Sequence, residues 1–146
     1  MEPVRFARLD PRAKLPAYAS ADAAGADLYA LTDDPVEIPA GATVLIHTGI
    51  AMAIPAGFGG FIYARSGLAT KQGLAPANKV GVIDADYRGE IMVALHNHSG
   101  TTRIVGSGDR IAQLVIAPVV QVEFEECDHL DDTVRGAGGF GSTGRV

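Results

Sequence analysis

This sequence predicts an all-β fold: a jelly-roll-like sandwich or distorted barrel with one short helix and a flexible glycine-rich C-terminal arm. Three observations carry that expectation. The apolar runs are short, β-branched and separated by glycine and proline. Amphipathic helical periodicity is nearly absent. Five of the ten residues from 135 to 144 are glycine, a stretch whose ordering is entropically too costly for a packed core. At 146 residues, 47% of them apolar, the chain reads as one body over residues 1–134 and an arm over 135–146.

The elements follow in order. VRFARL, residues 4–9, is an expected edge strand. Between Ile38 and Ala64 there is no Asp, Glu, Lys or Arg, a length sufficient to span a bilayer. Pro39, Pro55 and the glycines at 57, 59 and 60 would break a helix there, so two or three buried strands fit better. Strands are expected at 44–50 and 60–64. The only good helix candidate is SGLATKQG, residues 66–73, with Ser66 as cap and Gly73 as stop. Residues 78–93 read as a β-hairpin, 90–97 as a strand, and 110–124 as a strand broken near Pro118. Six acids between 123 and 132 then form a solvated connector to the arm.

The net charge of −5 argues against bulk attraction to nucleic acid. An anionic ligand would need locally placed arginines and backbone amides. A single cysteine, Cys127, excludes an internal disulfide and fits a reducing compartment. The start of the chain, broken by charges and prolines, has no secretory character, so a cytoplasmic protein without membrane or nucleic-acid partners is expected. The four histidines show no metal-ligand spacing with cysteine.

Five stretches hold residues able to do chemistry. In ARSGLA, residues 64–69, Arg65 offers a planar fork of donors and Ser66 a hydroxyl, with helix-start amides nearby. That is a phosphate site or an ordinary cap beside a surface arginine. In NKVGVIDADYRGEIMV, residues 78–93, two acids and Tyr87 sit between apolar runs. Here Asp84 is a candidate general base, or a turn-forming aspartate. AGADLYA contributes Asp27, and GDRIAQLVI contributes Asp109, Arg110 and Gln113. The tail RGAGGFGSTG lacks the lysine of a Walker loop, yet its glycines can gather amides into an anion-binding nest.

These five motifs, in this order from residue 24 to 144, resemble the deoxyuridine triphosphatases, a family of homotrimeric dUTP pyrophosphatases. One departure is Ala64, which stands where the family often has proline. The resemblance implies Mg2+-dependent hydrolysis of dUTP to dUMP and pyrophosphate, limiting uracil in DNA and supplying dUMP for thymidylate synthesis. Three sites would each draw on all three chains.

Residue by residue, the resemblance implies that Asp84 deprotonates the attacking water and accepts a hydrogen bond from the 3′-hydroxyl. Tyr87 would pack on the deoxyribose and leave no space for a 2′-hydroxyl. Asn78 and the backbone of Gly81, Val82 and Ile83 would read the uracil edge, with Met92 walling the pocket. Arg65, Ser66, Gly67 and Gln113 would line the triphosphate, and Asp27 would bind the water shell of the magnesium ion. From the arm, Phe140 would stack on uracil while Arg135, Gly141, Ser142 and Thr143 close over the phosphates. Arg110 looks structural. A dCTP deaminase-like enzyme and a non-catalytic nucleotide-binding module are the rival readings; ammonia release marks the first, and binding without hydrolysis the second.

Overall fold

The computed structural model describes residues 2–141 and Gly144. Ser142 and Thr143, two of the expected phosphate-closing residues, lie outside the described residues. Among those described, eleven strands and one helix form: β1 (Arg5–Arg8), β2 (Ala17–Tyr18), β3 (Ala26–Tyr29), β4 (Val36–Ile38), β5 (Thr43–Ala53), β6 (Phe58–Tyr63), α1 (Ser66–Gln72), β7 (Leu74–Pro76), β8 (Gly81–Ile83), β9 (Glu90–Asn97), β10 (Arg103–Val105) and β11 (Arg110–Pro118). They assemble into a four-stranded sheet, β1-β5-β9-β7, a five-stranded sheet, β2-β3-β11-β6-β8, and the small pair β10-β4. The sheets are open, so the fold is a jelly-roll-like sandwich and not a closed barrel.

Strand β9 shows why the sheets stack. Its residues alternate half-buried and buried, which puts Ile91, Val93 and Leu95 on the inner face. They join one apolar cluster with Ile46 and Ile50 of β5, and Leu28, Ile62, Ile83 and Leu114 of the opposite sheet. Buried Asn97 ends the row with its amide satisfied, donating to the carbonyls of Ile38 (2.8 Å) and Thr101 (2.9 Å). Leu95 is fully buried in this cluster. Leu95→Ala is expected to cost about 2–5 kcal/mol, read from urea unfolding at fixed protein concentration.

The charge-free stretch 38–64 folds as β5 and β6 with their turns. No helix among the described residues is long and apolar enough to cross a membrane. The edge strand at the start forms as β1, and the expected strand at 90–97 is β9.

Three sequence expectations need correction. The segment 78–93 is not a hairpin: β8 pairs only with β6, while β9 pairs with β5 and β7. Residues 84–89 instead carry the chain from one sheet to the other. Buried Ile83 and Ile91 then face the same core from opposite sides. Ser66 is not the cap of α1. Arg65 holds that position in extended conformation, without a side-chain capping bond, and its guanidinium turns elsewhere. The stop at Gly73 forms as expected, in the left-handed conformation at φ 70°. Finally, the strand interrupted at Pro118 does not resume. The Val119 amide donates to Gly57 (2.9 Å), and every residue from Pro118 to Ala137 is exposed.

Candidate active site

The sheet-crossing segment builds a pocket. Val82 of β8 faces outward while Gly81 and Ile83 face in, and β8 is anchored on β6 by the pairs Gly81–Ile62 and Ile83–Gly60. Beyond Ile83 the chain turns, with the Tyr87 amide donating to the Asp84 carbonyl (3.1 Å). Arg88 braces this turn by donating to the carbonyls of Ala85 (2.7 Å) and Tyr87 (3.1 Å). The Tyr87 ring folds back over Gly89, where any side chain would collide with its hydroxyl, and that hydroxyl donates to the Glu90 carbonyl (2.8 Å).

The result is a cavity of about 270 Å³. Its lining includes Asn78, Gly81, Val82, Ile83, Asp84, Tyr87 and Met92, seven of the eight residues expected to hold a nucleoside, and lacks Phe140. Asn78 sits beside Gly81, close enough to touch a side chain placed there. Asp84 stands at the lip, exposed, and its carboxylate has no hydrogen-bond or ion-pair partner among the described residues. It also borders a second, open cleft of about 870 Å³ shared with Asp86, Phe61 and Val119. The nucleoside-sized cavity therefore touches Asp84 and not Asp86.

Sequence reasoning missed Leu45, Ile62, Glu90 and Ile91 in the same lining. Glu90 is the consequential omission. Its carboxylate accepts from the Gly49 amide (3.0 Å) and contacts His47 Nδ1 at 2.9 and 3.1 Å. Burial pushes the Glu90 carboxyl up, but the hydrogen bonds from His47 and Gly49 outweigh it and leave it below the ordinary value.

A second patch gathers on β3, β11 and the β6–α1 junction. Register places Gln113 of β11 between Asp27 and Tyr63 of its two neighbours. Asp27 is buried, with Arg65 Nε donating to Oδ1 (3.0 Å) and Arg110 Nη1 at 3.6 Å from Oδ2. Gln113 donates to the Ala64 carbonyl (2.8 Å), which fixes the entry into α1. Arg65 and Arg110 also border a depression of about 330 Å³. Ser66 and Gly67 are exposed in the first turn, where amides lack intrahelical partners. Two guanidiniums and free amides suit a polyanion, while the Asp27 carboxylate holds the guanidiniums in place. The position expected to be structural, Arg110, is in contact with Asp27, and the positional change at Ala64 leaves its carbonyl serving Gln113.

The two patches share no lining residue within one chain. None of the described arm residues lines either patch. Arg135 Nε donates to the Gly138 carbonyl (2.6 Å), Phe140 is fully exposed, and Gly141 carries a φ of 83°.

A family model described as dUTPase matches residues 11–144. The chain is 54% identical over 142 residues to the deoxyuridine 5′-triphosphate nucleotidohydrolase of Desulfitobacterium hafniense, covering 97% of this chain and 94% of the relative. It is 48% identical over 147 residues to the protein of the same name from Acinetobacter baumannii, covering 97% and 98%. Among solved structures, the dUTPase of Staphylococcus bacteriophage 80alpha with dUpNHpp superposes at a TM-score of 0.90 and 25% identity, covering 99% of this chain and 100% of that one. The chain belongs to the dUTPase family.

Proposed function

We propose that this chain is a dUTP diphosphatase that hydrolyses dUTP to dUMP and pyrophosphate through water activated by Asp84. The observation that carries this reading is the cavity at the β8–β9 crossing, which collects the expected nucleoside residues around one unpartnered carboxylate. In the proposed reaction Asp84 takes a proton from a water whose oxygen bonds to the α-phosphorus, and the bond to the departing pyrophosphate breaks. Asp84 also accepts from the sugar 3′-hydroxyl. Uracil lies against the β8 backbone and Asn78, where cytosine would present a donor to a donor. Tyr87 closes the sugar site against a 2′-hydroxyl. The product is a nucleotide suited to thymidylate synthesis.

Arg65, Ser66, Gly67 and Gln113 take the triphosphate, and the arm residues Arg135, Phe140, Gly141, Ser142 and Thr143 close over the nucleotide. The donor set fits a cation that arrives with its phosphates. No group of three or more His, Cys, Asp or Glu gathers among the described residues, while the Asp27 carboxylate keeps lone pairs for one water of a hydrated ion. Asp27 would hold the water shell of a magnesium ion, which would supply positive charge where the leaving group gains negative charge.

Three copies of the chain complete the sites. That reading is supported by the separation of the two patches and by the exposed apolar side chains after the last strand: Val120, Val122, Phe124, Leu130 and Val134. Pyrophosphate release from dUTP, dCTP, UTP and dTTP, with and without magnesium, tests the activity. The expected result is at least about a 100-fold preference for dUTP. Ammonia release from dCTP, or dUTP binding without pyrophosphate release, would overturn it.

A further inference from the structure

We propose that Glu90 is a positioning residue that holds Tyr87 against the sugar and so sets the discrimination between deoxyribonucleotide and ribonucleotide. The proposal rests on the reading of the 270 Å³ cavity as the nucleoside site. It starts from an irregularity in the β5–β9 ladder. His47 pairs with Met92 and Ala51 with Glu90, so Thr48, Gly49 and Ile50 all stand opposite Ile91 alone.

Such a bulge leaves backbone groups without ladder partners, and several find them elsewhere. The carbonyls of His47 and Gly49 accept from the amides of Leu31 and Leu9, both at 2.8 Å. The Thr48 hydroxyl donates to the Ile91 carbonyl. The Gly49 amide has the Glu90 carboxylate. Gly49 holds a φ of 71°, and a side chain there would collide with Leu31, so the bulge cannot relax by taking another residue.

Glu90 therefore works from both ends. Its side chain, steadied by His47, ties it to a rigid bulge in the sheet, and its carbonyl receives the Tyr87 hydroxyl. The Tyr87 ring is 41% exposed, so core packing alone does not fix it. A tyrosine that must refuse one hydroxyl group has to be held tightly, because a loose apolar pocket rejects an added hydroxyl poorly. The chain from Gly49 through Glu90 to Tyr87 supplies that hold.

The test is the ratio of kcat/KM for dUTP to that for UTP in the full-length protein. Glu90→Ala is expected to lower the ratio about 10-fold, and Glu90→Gln, which still offers Gly49 an acceptor, to restore it to within about threefold of the parent. Tyr87→Phe, which keeps the ring and removes the bond to Glu90, is expected to lower the ratio similarly. Combining it with Glu90→Ala adds less than the sum of the two effects. Glu90→Asp shortens the reach by one methylene and keeps the charge; its ratio is expected to fall at least about threefold, a readout that survives if the alanine variant does not fold. An unchanged ratio in the aspartate or alanine variant, or equal losses on both nucleotides, overturns the proposal. A parent protein that hydrolyses UTP and dUTP alike would instead overturn the nucleoside-site reading beneath it.

Discussion

Asp84→Asn is expected to lower turnover of dUTP at least about 100-fold and to leave the melting temperature and dUTP affinity near those of the parent chain. The separation of effects follows from where the side chain stands. The Asp84 carboxylate is exposed and makes no hydrogen bond or ion pair among the described residues, so the amide breaks no bond on which the fold depends. The turn that carries it is held by the backbone bond from Tyr87 and by Arg88, and neither uses the side chain. The isosteric amide still accepts a hydrogen bond from a sugar hydroxyl. What it cannot do is take a proton from water at neutral pH. Asp86 is the internal control: it borders only the open cleft, and Asp86→Asn is expected to keep turnover within about threefold. Stopped-flow pyrophosphate release for kcat, with equilibrium binding of a non-hydrolysable dUTP analogue, measures both halves. Near-parental turnover in Asp84→Asn removes Asp84 from the role of base.

What the sequence disclosed and what it hid divide along a physical line. Strand β9 was legible because its burial follows the two-residue period of a half-buried strand, and its bounds are those expected from EIMVALHN. The short helix was legible through its glycine stop. The partner of a strand is not a local property. Residues 78–93 have the composition of a hairpin, yet β8 takes its hydrogen bonds from β6 and β9 takes its own from β5 and β7. Turn chemistry is the same whether the chain reverses within a sheet or crosses between two.

The site residues show the same division. Asp27, Arg65 and Gln113 were named individually, but that Asp27 holds Arg65 emerges only when β3, β11 and β6 lie side by side. That contact also explains why Arg65 occupies the cap position and Ser66 does not. Glu90 left no signal at all. A glutamate at the start of an alternating strand reads as a solvent-facing residue, and its partners His47 and Gly49 lie more than forty positions earlier. A motif reports which residues do chemistry more readily than which residues hold them in place.

Deleting residues 135–146 is expected to leave the melting temperature within about 2 °C and to lower kcat/KM for dUTP at least about 100-fold. The first half of that result follows from the packing. The last body strand ends at Pro118, and the described hydrogen bonds of Arg135 and Gly138 are made within the arm itself. The second half follows from chemistry. In the proposed reaction, loss of the arm would remove Phe140 from the base and Arg135 from the phosphates, and would admit bulk water beside the one held by Asp84. Unfolding of the truncated chain, or full activity without the arm, would defeat the lid reading. A sharper form of the experiment asks whose arm closes whose site. Truncated chains keep Asp84 but lack the lid, and Asp84→Asn chains keep the lid but lack the base. If each site takes its Asp84 segment and its arm from different chains, the two inactive proteins refolded together at equal concentration are expected to regain about a quarter of parental activity, because each contribution is drawn independently from two kinds of chain. If each chain closed over its own Asp84, no mixture would recover anything, since every chain in it would lack one of the two parts.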